Sequence, residues 1–145
     1  MSKYERFLGV DFGYARVGVA VSDPLGITAS AVETIHWNGK SVEKVLERLV
    51  ELCKALDVSG VVFGLPKRTD NKYSEAEAGV KSFAKTFSER IELPIYFKDE
   101  RLTSVVANQI LRTSQVKKGN RRNVVDQIAA ELILQSFLEE RRRKV

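Results

Sequence analysis

Residues Gly60 to Gly64 read Gly-Val-Val-Phe-Gly, an unbroken apolar run of strand length. A strand with no polar face has to be covered on both sides, so the sheet that holds it lies between two layers. The flanking segments supply helices. From Ser41, the residues Val42, Val45, Leu46, Leu49, Leu52, Cys53 and Leu56 recur at helical spacing, while Glu43, Lys44, Glu47, Arg48, Glu51 and Lys54 fill the opposite side. After the apolar run, Ser74 and Glu77 form a capping box ahead of a second stripe, Ala76, Val80, Phe83, Ala84 and Phe87. Pro94 then opens Ile95-Tyr96-Phe97, where its missing N–H suits the end of a strand.

Upstream, Phe7 to Asp11 and Val17 to Ser22 are β-rich runs joined by Phe12-Gly13-Tyr14-Ala15-Arg16, which reads as a hairpin. Ser30 to Ile35 supplies a third strand after the turn-rich Ser22 to Gly26. Downstream, Thr103 or Ser104 caps a short helix through about Leu111. Asn123 caps a longer one whose expected core face is Val125, Ile128, Ala129, Leu132, Ile133, Ser136 and Phe137. The order β-β-β-α-β-α-β-α-α predicts an α/β fold: one mixed five-stranded sheet, an antiparallel meander plus two parallel strands, with helices on both faces. The chain has 145 residues and no repeat, linker or low-complexity segment, so one domain spanning residues 1–145 is expected.

Composition narrows the function. Hydrophobic residues are 43% and charged residues 30%, which excludes a disordered chain. The apolar stretches fall short of the ~20 residues a membrane span needs, so no membrane partner is expected. Lys3, Glu5 and Arg6 replace the apolar segment of a secretion signal, and Cys53 is the sole cysteine, which together predict a reducing cytoplasm. The net charge of +5 is uneven: residues 1–100 hold 14 basic and 15 acidic side chains, and residues 101–145 hold 10 and 4. A basic half of this kind suits a polyanion, though many soluble enzymes share such a balance.

Three carboxylates occupy unusual places. Asp11 closes the apolar run Phe7-Leu8-Gly9-Val10, Glu100 follows Ile95-Tyr96-Phe97, and Asp126 shares a helical stripe with Ala129, Ala130 and Ile133. Parallel strands would bring Asp11 and Glu100 to one sheet edge, where ligands of open α/β sheets gather. Acids crowded there repel and resist desolvation unless cations lie between them, and hard Mg²⁺ or Mn²⁺ suits all-carboxylate ligands. Each residue also has an ordinary role: an Asx-turn for Asp11, a surface pair for Glu100, a helix N-terminal partner for Asp126. Asp23 and Asp99 are left out, as a turn residue and a side chain on the opposite face. For phosphates, the candidates are Arg16, Lys67 and Arg68, with Lys117, Lys118, Arg121 and Arg122 on a basic loop from Thr113 to Arg122. Tyr14 is a candidate base-stacking aromatic that equally suits hairpin packing. His36 is given no catalytic role, and Trp37 no partner.

These residues carry a resemblance. Leu8-Gly9-Val10-Asp11-Phe12-Gly13, Arg16-Val17-Gly18-Val19-Ala20-Val21-Ser22-Asp23, Gly64-Leu65-Pro66, Asp99-Glu100-Arg101-Leu102-Thr103-Ser104 and Val125-Asp126-Gln127-Ile128-Ala129-Ala130 together resemble the YqgF (RuvX) family over nearly the whole chain. The resemblance implies an RNase H-like three-layer fold and a divalent-metal nuclease of the cytoplasm, with the family's acidic positions on Asp11, Glu100 and Asp126. It implies either maturation of the 5′ end of pre-16S rRNA, the expected role, or Holliday junction resolution by a homodimer. One departure is Lys67-Arg68-Thr69-Asp70-Asn71, where the family turn carries glycine. Two other classes were weighed. Actin-like ATPases and sugar kinases share the first hairpin but need a second Asp-x-Gly loop, which is missing here. A non-catalytic RNA-binding assembly factor would have no need of the three acids.

Overall fold

The computed structural model describes residues 5–66, 75–99 and 121–143. Five strands, β1 (Phe7–Phe12), β2 (Arg16–Ser22), β3 (Ala29–His36), β4 (Gly60–Leu65) and β5 (Ile95–Asp99), form one sheet in the order β3-β2-β1-β4-β5. β1 and β2 pair antiparallel, as do β2 and β3, whereas β4 runs parallel to both β1 and β5. The helices are α1 (Glu43–Ala55), α2 (Glu75–Ser88) and α3 (Arg121–Arg143). This is the mixed meander-plus-parallel sheet read from the sequence.

Strand alternation splits the apolar residues into two cores. Leu8, Val10, Val17, Val19, Val61 and Phe63 point toward α1 and α2, meeting Val45, Leu46, Leu49, Val80, Phe83 and Phe87. On the other face Phe7, Ala20 and Val62 meet Ala130, Ile133, Leu134, Phe137 and Leu138 of α3. β4 is buried at every residue from Gly60 to Leu65, which is why its sequence carries no polar alternation.

Three sequence expectations are corrected. α1 begins at Glu43 with Val42 at its N-cap, so Ser41 lies outside it and no side chain caps it. α3 begins at Arg121, ahead of the expected Asn123 cap, which puts Arg121 and Arg122 in its first turn rather than on a basic loop and Asp126 one turn in. The buried face of α3 is also rotated: Ala130, Leu134 and Leu138 are buried and Ser136 is exposed. Gly9 explains the rotation. A Cβ there would lie 2.8 Å from the Leu134 Cβ and 3.0 Å from the Ala130 carbonyl oxygen, so the missing side chain lets α3 settle onto β1 along its Ala130–Leu134 line. The expected helix from Thr103 and the Ser74 cap lie outside the described residues.

A polar stripe on α3 sets its position along the sheet. Gln127, Glu131 and Gln135 recur every four residues and so share one side of the helix. Gln127 donates to the Thr34 hydroxyl at 3.0 Å, Glu131 accepts from the Ala31 N–H at 2.7 Å, and Gln135 accepts from the Ala29 N–H at 3.0 Å. β3 is the outermost strand on that side, and its Ala29 and Ala31 N–H groups are thus satisfied by helix side chains.

Candidate active site

Asp11 lies near the C-terminal end of β1, directly across from Gly18 of β2. Cross-strand neighbours of this kind hold their Cα atoms about 4.5–5.5 Å apart. Asp11 shares its face with Phe7 and Gly9, the face that α3 covers. Gly18 is where α3 comes closest. A Cβ built on it would overlap the Asp126 carbonyl and stand only 3.0 Å from the Asp126 Cβ. The glycine therefore seats the Asp126 backbone on β2, at the position paired with Asp11 on the neighbouring strand.

Arg16 comes to the same place. Its Nε donates to Asp126 Oδ2 at 2.8 Å, across 110 residues of sequence. The Asp126 side chain is 17% exposed and that of Arg16 30%. Burial pushes the Asp126 carboxyl above the ordinary carboxylate range, while the Arg16 hydrogen bond and charge, and more weakly His36, pull it back. His36 stands opposite Arg16 in the β2–β3 ladder. Its charge reaches Asp126 from the neighbouring strand.

The remaining expected residues divide by location. β5 runs parallel to β4 and β4 to β1, so the end of β5 at Asp99 reaches the same edge as Asp11. Lys98 turns to α3 and pairs with Glu140, and alternation sends Asp99 to the opposite face. Glu100, Lys67, Arg68, Lys117 and Lys118 lie outside the described residues. Arg121 and Arg122 open the helix that carries Asp126. Asp23 closes its own turn, accepting from the Ile27 and Thr28 N–H groups at 2.7 and 2.9 Å, and these bonds hold its pKa below the usual value.

Asp11 and Asp126 are hard oxygen donors, the second largely desolvated and paired with the Arg16 guanidinium, and their chemistry fits a divalent cation. Among the described residues no three acidic, His or Cys side chains group closely enough to hold a metal alone. The third acid of the expected set, Glu100, is not among them.

Trp37 has the partners its sequence position did not reveal. Its Nε1 donates to the Gly13 carbonyl at 2.7 Å, and its ring meets those of Tyr14 and Phe12. The signal lay in the hairpin: its Gly13-Tyr14-Ala15 connection leans on the chain that leaves β3.

The meander-plus-parallel sheet is RNase H-like, and solved structures agree on the fold. The Thermus thermophilus RuvC structure with Holliday junction substrate matches with a TM-score of 0.62 at 14% identity, covering 98% of each chain. The fowlpox virus resolvase bound to junction DNA matches at 0.53 and 11% identity, covering 93% of this chain and 97% of that one. The chain belongs to the RuvX family, whose model, described as Holliday junction resolvase, matches residues 5–140. A relative from Oenococcus oeni named "Putative pre-16S rRNA nuclease" is 44% identical, covering 95% of this chain and 96% of its own. One of the same name from Lactobacillus johnsonii is 41% identical, covering 95% and 98%. The family is one of phosphodiester hydrolases, and this chain is an enzyme of that class.

Proposed function

We propose that this nuclease is divalent-metal-dependent and works in the cytoplasm as a single domain on the 5′ end of pre-16S rRNA. The observation that supports the reading most directly is the seat of Asp126 on Gly18, directly beside Asp11. Asp11, Asp126 and Glu100 would hold Mg²⁺ or Mn²⁺, which when bound activates a water and stabilises the leaving oxygen of a phosphodiester. The protein's own part is positional. β1 presents Asp11 from a rigid central strand, Gly18 sets the height of Asp126, and Arg16 fixes the rotation of its carboxylate. Arg16, Lys67, Arg68, Lys117, Lys118, Arg121 and Arg122 supply positive charge for the phosphates around the cut.

The test is a side-by-side cleavage assay on a pre-rRNA leader and a four-way DNA junction with Mg²⁺ or Mn²⁺. The leader is expected to be cut, and Asp11→Asn to lose cleavage while keeping fold and binding. Cleavage of the junction alone, by a dimer, would transfer the assignment to recombination. Equal cleavage by Asp11→Asn would remove these carboxylates from the chemistry, and no cleavage with intact RNA binding would leave an assembly factor.

A further inference from the structure

The hairpin tip and the chain leaving β3 build an aromatic ledge that the hydrolytic chemistry does not use. Tyr14 is 59% exposed, yet its ring is not loose. It stacks on Trp37 with centroids 6.5 Å apart and planes at 27°, Trp37 meets Phe12 at 5.6 Å, and Phe12 stacks on Phe83 of α2 at 4.4 Å. The ledge is fixed from below as well. The Trp37 N–H donates to the Ala15 carbonyl at 3.1 Å, and its Nε1 donates to Gly13. Gly39, at φ 75°, lies so close to the Tyr14 carbonyl that a Cβ would fall 2.6 Å from it. A Cβ on Gly79 would fall at the same distance from the Tyr14 hydroxyl. Such an arrangement costs exposed aromatic surface and two close glycines, and it holds the Tyr14 and Trp37 rings near parallel.

Beside this ledge opens a cleft of about 620 Å³, lined by His36, Trp37, Asn38, Ser41 and Lys44. That is within the ~300–1,000 Å³ range of small-ligand pockets. Among the described residues, none that lines it is acidic. On the far side of Lys44 a second cleft carries Glu33, Glu47 and Glu51 beside Arg48. A polyanion is thus favoured on the Trp37 side of Lys44 and repelled on the other. The ledge lies on the α1 and α2 side of the sheet, yet it grows from the rim that carries Asp11: Phe12 follows Asp11 in β1, and Trp37 Nε1 donates to Gly13.

We propose that the Tyr14–Trp37 ledge and its cleft bind an unpaired nucleotide of the RNA strand next to the scissile phosphate, the base on the aromatic rings and its phosphate at Lys44. The inference rests on the nuclease reading above and adds to it a preference for single-stranded substrate. Aromatic platforms serve single strands because every base has a stackable face, whereas a paired base offers none to a side-on ledge.

Trp37 is the only tryptophan, so its fluorescence reports the site directly. Titration with a short oligouridylate in chelator, where no cleavage occurs, is expected to quench it saturably, and a blunt RNA duplex of equal length is not. Tyr14→Leu should weaken binding roughly tenfold, in line with the loss of one stacked base. Lys44→Ala should lower the slope of log affinity against log salt by about 0.7, the loss of one phosphate contact on a single strand. Tyr14→Phe, which keeps the ring, should bind like the parent and serves as the folding control. Absent quenching, equal quenching by duplex, or unchanged affinity in both Tyr14→Leu and Lys44→Ala would overturn the proposal. Because the titration needs no turnover, quenching without cleavage would refute the nuclease reading alone, and cleavage without quenching this one alone.

Discussion

Replacing Gly18 by alanine isolates the contact that seats Asp126 on β2 beside the position of Asp11. The added methyl would overlap the Asp126 carbonyl oxygen and crowd the Asp126 Cβ at 3.0 Å. Ordinary contact between such atoms lies at about 3.5–4.0 Å, and the obstacle is backbone, so the first turns of α3 must lift by roughly 1 Å. Two consequences differ in kind. Forced overpacking of this sort costs about 1–3 kcal/mol, or roughly 2–10 °C in Tm for a chain of this size. Displacing a catalytic group by about 1 Å costs on the order of 100-fold in turnover. The variant is therefore expected to fold, melt somewhat lower, and cut its nucleic-acid substrate about 100-fold more slowly, with weakened Mn²⁺ binding by calorimetry. Gly9→Ala is the matched control, because its methyl meets the Ala130 carbonyl and Leu134, one and two turns further along α3. It should lose comparable Tm and keep most of its turnover. Full activity in a folded Gly18→Ala protein, or an equal loss in Gly9→Ala, would refute the idea that this seat positions Asp126.

Two further outcomes follow from burial. Because the folded pKa of Asp126 is raised, the native state binds its proton more tightly than the unfolded chain, so metal-free stability falls as pH rises from the ordinary carboxylate pKa through the raised one. Thermal melts in chelator should show that decline, a divalent cation should reverse it, and Asp126→Asn should abolish both; a melt independent of pH across this window would contradict it. Cys53 is buried among the α1-side core and its thiol is pushed up to about 12, so a disulfide reagent at mildly alkaline pH should label it only after unfolding. Rapid labelling of the native protein would show that this core opens.

Periodicity alone was sufficient for most of the architecture. β1, β2 and β4 appear within a residue of their predicted bounds, because alternating or unbroken apolar runs at Phe7, Val17 and Gly60 leave few other ways to bury them. The face of α3 was harder to read. Its amphipathic pattern fits several rotations, and the one adopted depends on Gly9 and Gly18, residues of distant strands. The same holds at the site. Asp11 and Asp126 were legible as acids in places where an apolar residue would be ordinary. Arg16 was legible only as a cation, since nothing in a linear pattern tells that it would spend its Nε on Asp126 rather than on a phosphate. The roles of Trp37 and His36 were hidden likewise, because both depend on the register between β2 and β3.

The stripe of Gln127, Glu131 and Gln135 has a bearing on solubility. A sheet rim with unmet amide groups is a template on which another molecule can dock its own strand, the first step toward aggregates. Here a helix of the same chain reaches over that rim and occupies two of its amides from within, at Ala29 and Ala31. The helix that delivers Asp126 thereby also closes one route to self-association, so mutations that loosen its grip would endanger dispersal in solution along with catalysis.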